Sequence, residues 1–365
     1  MKKLTPEMRA YQARVRISRW LNAVSRKGKK QKPNNITSTR NIFGQTVIYA
    51  PEHISIYEVT GKNSNYNRTI SFIRDIEKHY KSSNCVIDFT ETRRISAAAL
   101  VVIYAAIEMA GVGRDGKAEL SFSAHSEGVN KTIKSSNLLR LIKGHQIKYS
   151  LDQSRSMPII SSVGSQQMEE IIDFIQRRIF KDNMSPTTEH AYGDAVSETI
   201  NNVGLHAYPN TPLEEKRWWL MCSTFGRKLY LAIYDCGVGI PKTVIKKPWF
   251  FPLLKNSDPD QYRKLIEEMP HLDATGIEIL VPKRIPDERL IYYSMQSDVT
   301  GTKQEKHGQG SKSIKALVND TKDGLLWVFS NHGLYNFNVE DQQPGEAKLR
   351  MKFPGTLIQW NIEIP

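Results

Sequence analysis

From residue 41 onward the apolar positions change period repeatedly, and the changes predict elements. TVIYAPEHISIYEVT (46–60) alternates as strands do, while NRTISFIRDIEKHYK (67–81) spaces its apolar residues for one helical face. NCVIDFT (84–90) is an apolar run of strand length and SAAALVVIYAAIEMA (96–110) an apolar helix. KAELSFSAH (117–125) and KTIKSSNLLRLIKG (131–144) follow as strand and helix. Strands alternating with helices predict an α/β layer domain over 41–155. Next, SQQMEEIIDFIQRRIF (165–180) sets Met168, Ile171, Ile172, Ile175 and Ile179 on one face of a helix. SPTTEHAYGDAVSETINNVGLHAY (185–208) predicts another, with Ser185 as N-cap and Pro186 at its first position. RWWLMCST (217–224) and KLYLAIYD (228–235) form a hairpin around Gly226; GLLWVFSNHGLYNF (324–337) and FPGTLIQWNIEIP (353–365) supply two or three closing strands. A second domain over 156–365 accommodates a length, 365 residues, too great for one ordinary core.

Composition changes this picture mainly at one end. A hydrophobic share of 39% with 24% charged residues belongs to a soluble globular protein. The net charge is +13, but residues 1–40 hold twelve Lys or Arg against Glu7 alone, so the arm carries +11 and the rest +2. The arm begins as a basic helix and ends as a charged linker. Docking to nucleic acid or an acidic partner and a merely solvated arm both remain open. Cys85, Cys222 and Cys236 stand far apart without a C-x-x-C pair, which excludes a disulfide framework and an ordinary zinc site. With no signal-peptide pattern and no apolar run long enough for a membrane span, a cytoplasmic, bacterial-style protein without membrane attachment is expected.

Within SETINNVGLHAY (197–208), Glu198 and Asn202 are four apart, and His206 extends the stripe by another turn. Such a stripe faces either water or something polar that the fold holds. In DCGVGIP (235–241), Asp235 ends a strand, and Gly237 and Gly239 let backbone approach a ligand closely. A carboxylate there is suited to accept a hydrogen bond from an exocyclic amine. In TGTKQEKHGQGSKSIKALV (300–318), Gly308 and Gly310 precede a helix whose N-terminus would cradle an anion, with Lys303 and Lys306 beside it. Each motif alone has a bland alternative: an exposed polar face, a glycine turn, a capped helix.

Together, E-x-x-x-N (198–202), D-x-G-x-G (235–239), G-x-G (308–310) and a terminal Gly355-Thr356 resemble the GHKL ATPase fold. That family includes sensor-kinase ATP domains, anti-sigma kinases, the heat-shock chaperone, gyrase B and mismatch-repair ATPases. The resemblance implies an α/β sandwich with a mixed sheet and helices on one face. It implies ATP and magnesium as ligands, with Asn202 on the metal. Asp235 would read the adenine amino group, with Thr356 beside it and Gly237, Gly239 and Ile240 shaping the pocket. Lys303, Gly308, Gln309, Gly310 and Ser311 would contact the phosphates. Glu198 would act as base, favouring ATP hydrolysis or Ser/Thr phosphorylation over phosphohistidine chemistry. The segment between the glycine boxes, 241–307, is long for a lid: residues 246–270 suggest a docking insertion and 287–303 the lid proper.

Upstream, CVIDFT, ETRRIS and AAALVVIYAA resemble a STAS (anti-anti-sigma-like) domain. Ser96 stands where that family has Asp, and Ala97 where it has the phosphoacceptor Ser, which implies a scaffold or docking module. Three readings follow: an ATPase or Ser/Thr kinase acting on a partner protein, a nucleotide-gated interaction module, and an arm-anchored nucleic-acid binder. A homodimer is compatible with all three.

Overall fold

The computed structural model describes residues 38–364, apart from 42, 82–83, 114–117, 146, 148, 150, 152–156, 270–273, 297–308, 320, 322 and 341–342. The basic arm lies almost wholly outside the described residues. The chain is α/β, and the alternation described above becomes two main sheets and one small strand pair, with helices between them.

In the N-terminal part, β1 (Ser38–Arg40), β2 (Thr46–Tyr49), a short β3 (His53–Ile54) and α1 (Asn65–His79) lead into β4 (Cys85–Asp88) and β5 (Arg94–Ile95). Then follow α2 (Ala97–Gly111), β6 (Ala118–Ser121), α3 (Glu127–Ser135) and α4 (Leu138–Ile142). The sheet order is β1-β2-β4-β6, with β2, β4 and β6 parallel and β1 antiparallel to β2; β3 and β5 form a small parallel pair. Ser64 caps α1 and Ser96 caps α2 through their side-chain oxygens. Residues 98–107 of α2 are buried without interruption, so this stretch of the helix has no solvent face. The helix expected over 131–144 is two: Asn137 adopts a left-handed backbone conformation between α3 and α4.

The C-terminal part opens with β7 (Ile160–Val163) and α5 (Met168–Phe174), which continues into a π turn at Ile175–Ile179. α6 (Pro186–Asn202) likewise runs into a π turn at Val203–Ala207. The hairpin β8 (Arg217–Phe225) and β9 (Lys228–Asp235) turns at Gly226, and the helices α7 (Ile240–Val244), α8 (Phe250–Ser257), α9 (Pro259–Glu268), α10 (Ala274–Arg284) and α11 (Asp287–Met295) come next. α12 (Gln309–Asn319), β10 (Leu325–Asn338) and β11 (Pro344–Glu363) complete it. The sheet order is β10-β11-β9-β8-β7. Where a mixed sheet was expected, every described pairing is antiparallel, because each neighbouring pair of strands runs in opposite directions.

Strand alternation explains how this sheet is buried. Trp218, Leu220, Cys222, Leu231, Ile233, Val328, Ile358 and Trp360 face a core built with α6 and α12. Trp219, Met221, Ala232, Tyr234, Phe329 and Leu357 face the opposite way, into a core shared with Ile70, Ile73, Leu100 and Ile103 of α1 and α2. Helices therefore cover both faces rather than one. α1 packs on β2 and β11, and α2 on β8 and β9. Polar contacts cross the same seam: Tyr57 donates to Gln359, Tyr66 to the Met351 carbonyl at 2.8 Å, and Trp219 Nε1 to Glu108. Gln359 has no exposed surface, so the Tyr57 hydroxyl meets an acceptor that water cannot reach.

The helices α7–α11 form a third core around Val244, Phe250, Leu254, Leu265, Val281, Leu290 and Tyr293. The lid anticipated over 287–303 is, in its first half, no free flap. α11 lies on β10 with Leu290, Ile291, Tyr293 and Met295 buried, and the Asp287 carboxylate accepts from His332 N. Residues 297–303 lie outside the described residues. Among the described residues no helix is long and apolar enough to cross a membrane.

Phe353 has no exposed surface and lies in the seam core, with ring centroids 5.5 Å from Phe329 and 6.1 Å from Tyr234. Phe353→Ala is expected to lower the unfolding free energy by about 3–5 kcal/mol. Urea titration followed by tryptophan fluorescence and circular dichroism should show one shifted transition. Two transitions, only one of them displaced, would contradict a shared core.

Candidate functional site

The polar stripe of α6 faces a cavity of about 530 Å³, a size ordinary for small-molecule sites. Glu198 and Asn202 line it from α6, and His206 from the π turn that ends the helix. Asp235 lines it from the end of β9, Gly239 and Ile240 from the turn into α7, Ser311 from α12 and Thr356 from β11. Glu198 and Thr356, 158 positions apart in sequence, thus line the same cavity.

The turn after β9 is built by close backbone approach. Asp235 is paired on one side with Trp218 and on the other with Thr356. A Cβ at Gly355, where φ is +85°, would lie 1.9 Å from the Asp235 carbonyl oxygen. A Cβ at Gly239, where φ is +91°, would meet the side chains of Asn331 and Ser330 below 3 Å. Gly237 does not line the cavity. Its missing side chain admits the Ala207 carbonyl, 2.2 Å from where a Cβ would stand, and that carbonyl accepts from Val238 N at 2.8 Å. The glycine expected to shape the pocket instead locks the turn onto the end of α6.

Sequence reasoning missed the residues that hold this turn. Ser330 Oγ accepts from Ile240 N at 2.9 Å and lies 3.1 Å from Thr356 Oγ1. Asn331 Nδ2 donates to the Val238 carbonyl at 3.1 Å. Both are buried at irregularities in the pairing of β10 with β11, and Asn331 has a φ of +51°. The available signal was a polar pair, SN, directly after the apolar run LLWVF. Lys247 and Trp249, from the connection between α7 and α8, also line the cavity and were not anticipated.

Lys303 and Gly308 lie outside the described residues. α12 is described from Gln309, so Gln309 and Gly310 lie within the helix; Ser311, buried beside them, reaches the cavity. The first N–H groups of a helix have no partner within it and favour anions.

Electrostatically the site is divided. Burial pushes the Asp235 carboxyl up to about 7, against the opposing effect of the Gly237 N–H, which donates to its Oδ1 at 2.8 Å. Asn202 Nδ2 donates to Glu198 Oε1 at 3.0 Å, so the carboxamide oxygen is the atom left to face a ligand. His206 is held below its ordinary range by burial and by Lys247 and Lys216. Lys247 Nζ lies 2.8 Å from His206 Nε2, and burial lowers its pKa.

The chain matches no protein-family model and no curated protein. Its chemistry has to be read from the site. Among the described residues no group of three or more His, Cys, Asp or Glu forms a metal cage. The oxygen donors at the cavity, Asn202 and Glu198, fit magnesium, which takes most of its ligands from phosphates and water.

Two glycines test the geometry with opposite signs. Gly237→Ala forces the α6 terminus away and should destabilise by about 1–3 kcal/mol or more. A Cβ at Gly193, inside α6, would meet nothing within 4 Å. Gly193→Ala should therefore stabilise by about 0.5–1 kcal/mol. Thermal melts of both variants check the contrast.

Proposed function

We propose that the cavity binds an adenine nucleotide with magnesium and that residues 156–365 form an ATP domain of GHKL type. The observation that carries this reading is the meeting in one cavity of a buried strand-end carboxylate, Asp235, with the Glu198–Asn202 pair. Asp235 is the only carboxylate on that wall besides Glu198, among the described residues. It suits a ligand amino group whose hydrogen bond offsets the cost of ionising it. The Asn202 oxygen would hold magnesium, which neutralises phosphate charge. Glu198, hydrogen-bonded to that same carboxamide, would take the proton from an attacking hydroxyl. The hydroxyl belongs to water in an ATPase and to a partner's Ser or Thr in a kinase.

A second reading, a nucleotide-gated interaction module, draws support from the N-terminal domain. That domain, which we read as STAS-like, is packed on the back of the sheet that carries Asp235. Ala97, at the position of that family's acceptor serine, leaves no hydroxyl to phosphorylate. In this reading nucleotide changes partner affinity, with turnover slow or absent.

Glu198→Ala separates the two. Phosphate release should fall by at least about a hundredfold while ATP binding persists; unchanged release eliminates Glu198 as the base and favours the module.

Nucleotide affinity should also depend on pH through Asp235. Its carboxyl titrates at about 7 in the ligand-free protein, and an amino donor binds the ionised form. Affinity should rise with pH through 7 and fall by up to about tenfold per unit below it. The same carboxyl binds its proton more tightly folded than unfolded. Its contribution to stability therefore declines as pH rises from about 4 to about 7. Calorimetric titrations across pH 5.5–8.5 (about one and a half units either side) measure the first effect, and Asp235→Asn should flatten the profile.

A further inference from the structure

We propose that Lys247, carried by the helical insertion, is a phosphate contact of the cavity, so that the insertion reads how many phosphates the nucleotide bears. This rests on the nucleotide reading above and adds to it a discriminating residue that the sequence motifs do not contain.

Four observations converge on Lys247. It lies three residues past the end of α7 and lines the cavity together with Thr243, Val244, Trp249, Ser294 and Met295 of the same insertion. It is half-buried, and among the described residues no carboxylate lies within ion-pair distance of it. Its neighbour Lys246, by contrast, is paired with Glu278 at 2.8 Å on the exposed side. The partner it does have is an imidazole: Nζ stands 2.8 Å from Nε2 and 3.2 Å from Nδ1 of His206. The ammonium rests against both ring nitrogens, and a neutral imidazole brings no charge, so the charge on Lys247 stays uncompensated. Finally, His206 is four residues beyond Asn202 on the same stripe and lines the same cavity.

A second lysine strengthens the field. Lys216 Nζ donates to the Gly204 carbonyl at 2.6 Å, which fixes another cation beside the π turn. Two lysines near one neutral histidine favour a multiply charged anion over a neutral ligand. The ligand class is a nucleoside di- or triphosphate, and the group read is a non-bridging phosphate oxygen. Asp235, assigned to the ligand's amino group, is indifferent to the phosphate count.

The test compares the full chain with Lys247→Met and Lys247→Arg by calorimetry against adenosine, ADP and ATP, the nucleotides with magnesium. Lys247→Met is expected to weaken ATP by about tenfold, ADP less, and adenosine not at all; Lys247→Arg should recover most of the loss. Unchanged adenosine binding in Lys247→Met doubles as the control that the site is intact. Equal losses for adenosine and ATP, or no loss for ATP, overturn the phosphate contact while the nucleotide reading stands. Failure of the wild-type chain to bind all three overturns both.

Discussion

Everything in this molecule depends on a five-stranded antiparallel sheet that is dry on both faces. Along β8, Trp218, Leu220 and Cys222 point one way and Trp219 and Met221 the other; β9 and β11 repeat the division. An antiparallel sheet with one wet face would alternate apolar and polar residues. This one cannot, because α6 and α12 cover one side and α1 and α2 the other. Removing either layer would leave a broad apolar surface in water, at a cost near 25 cal/mol per Å² of apolar area. The N-terminal unit is therefore part of the fold that supports the cavity. It is not a module tethered beside it.

The cavity exploits the one place where that sheet stops. At the end of β9 the backbone must leave the sheet, pass under the end of α6 and start α7. Three contacts force its path: Gly355 against the Asp235 carbonyl, Gly237 against the Ala207 carbonyl, and Gly239 against Ser330 and Asn331. Each glycine is explained by what occupies the space of its missing side chain. The result is a carboxyl group held at a fixed point in a poorly solvated wall, which is why its ionisation is costly. A rigid, partly desolvated acceptor is useful only to a ligand able to repay that cost with a hydrogen bond.

Two accessory units reach this region from different sides. The N-terminal domain shares a core with β8, β9 and β11, and Glu108 of α2 accepts from Trp219, the neighbour of the residue paired with Asp235. The helical insertion reaches the cavity through Thr243, Val244 and Lys247, and is itself fixed to β10 through α11. On the functional reading proposed above, a nucleotide would touch elements that both units hold. Change in either unit then has a direct route to the ligand, through packed side chains and without any long-range device.

Much of this was legible in the sequence, for identifiable reasons. Period-2 and period-3.6 patterns are local, so α1, α2, α6 and the β8–β9 hairpin could be read from their own residues. Caps are local too: Ser185, read as the N-cap of α6, accepts from Thr188 N as expected. The spacing of Glu198, Asn202 and His206 fixed their common face. Strand direction and coverage were not legible, because RWWLMC reads the same whether its second face meets another domain or a membrane of helices within its own. Nor could the chain alone say that Gly237 serves the α6 terminus, that Ser330 and Asn331 pin a turn 90 residues away, or that Lys247 faces His206. Those facts belong to which segments meet in space. Close packing of both sheet faces decides that, and no window of neighbouring residues contains it.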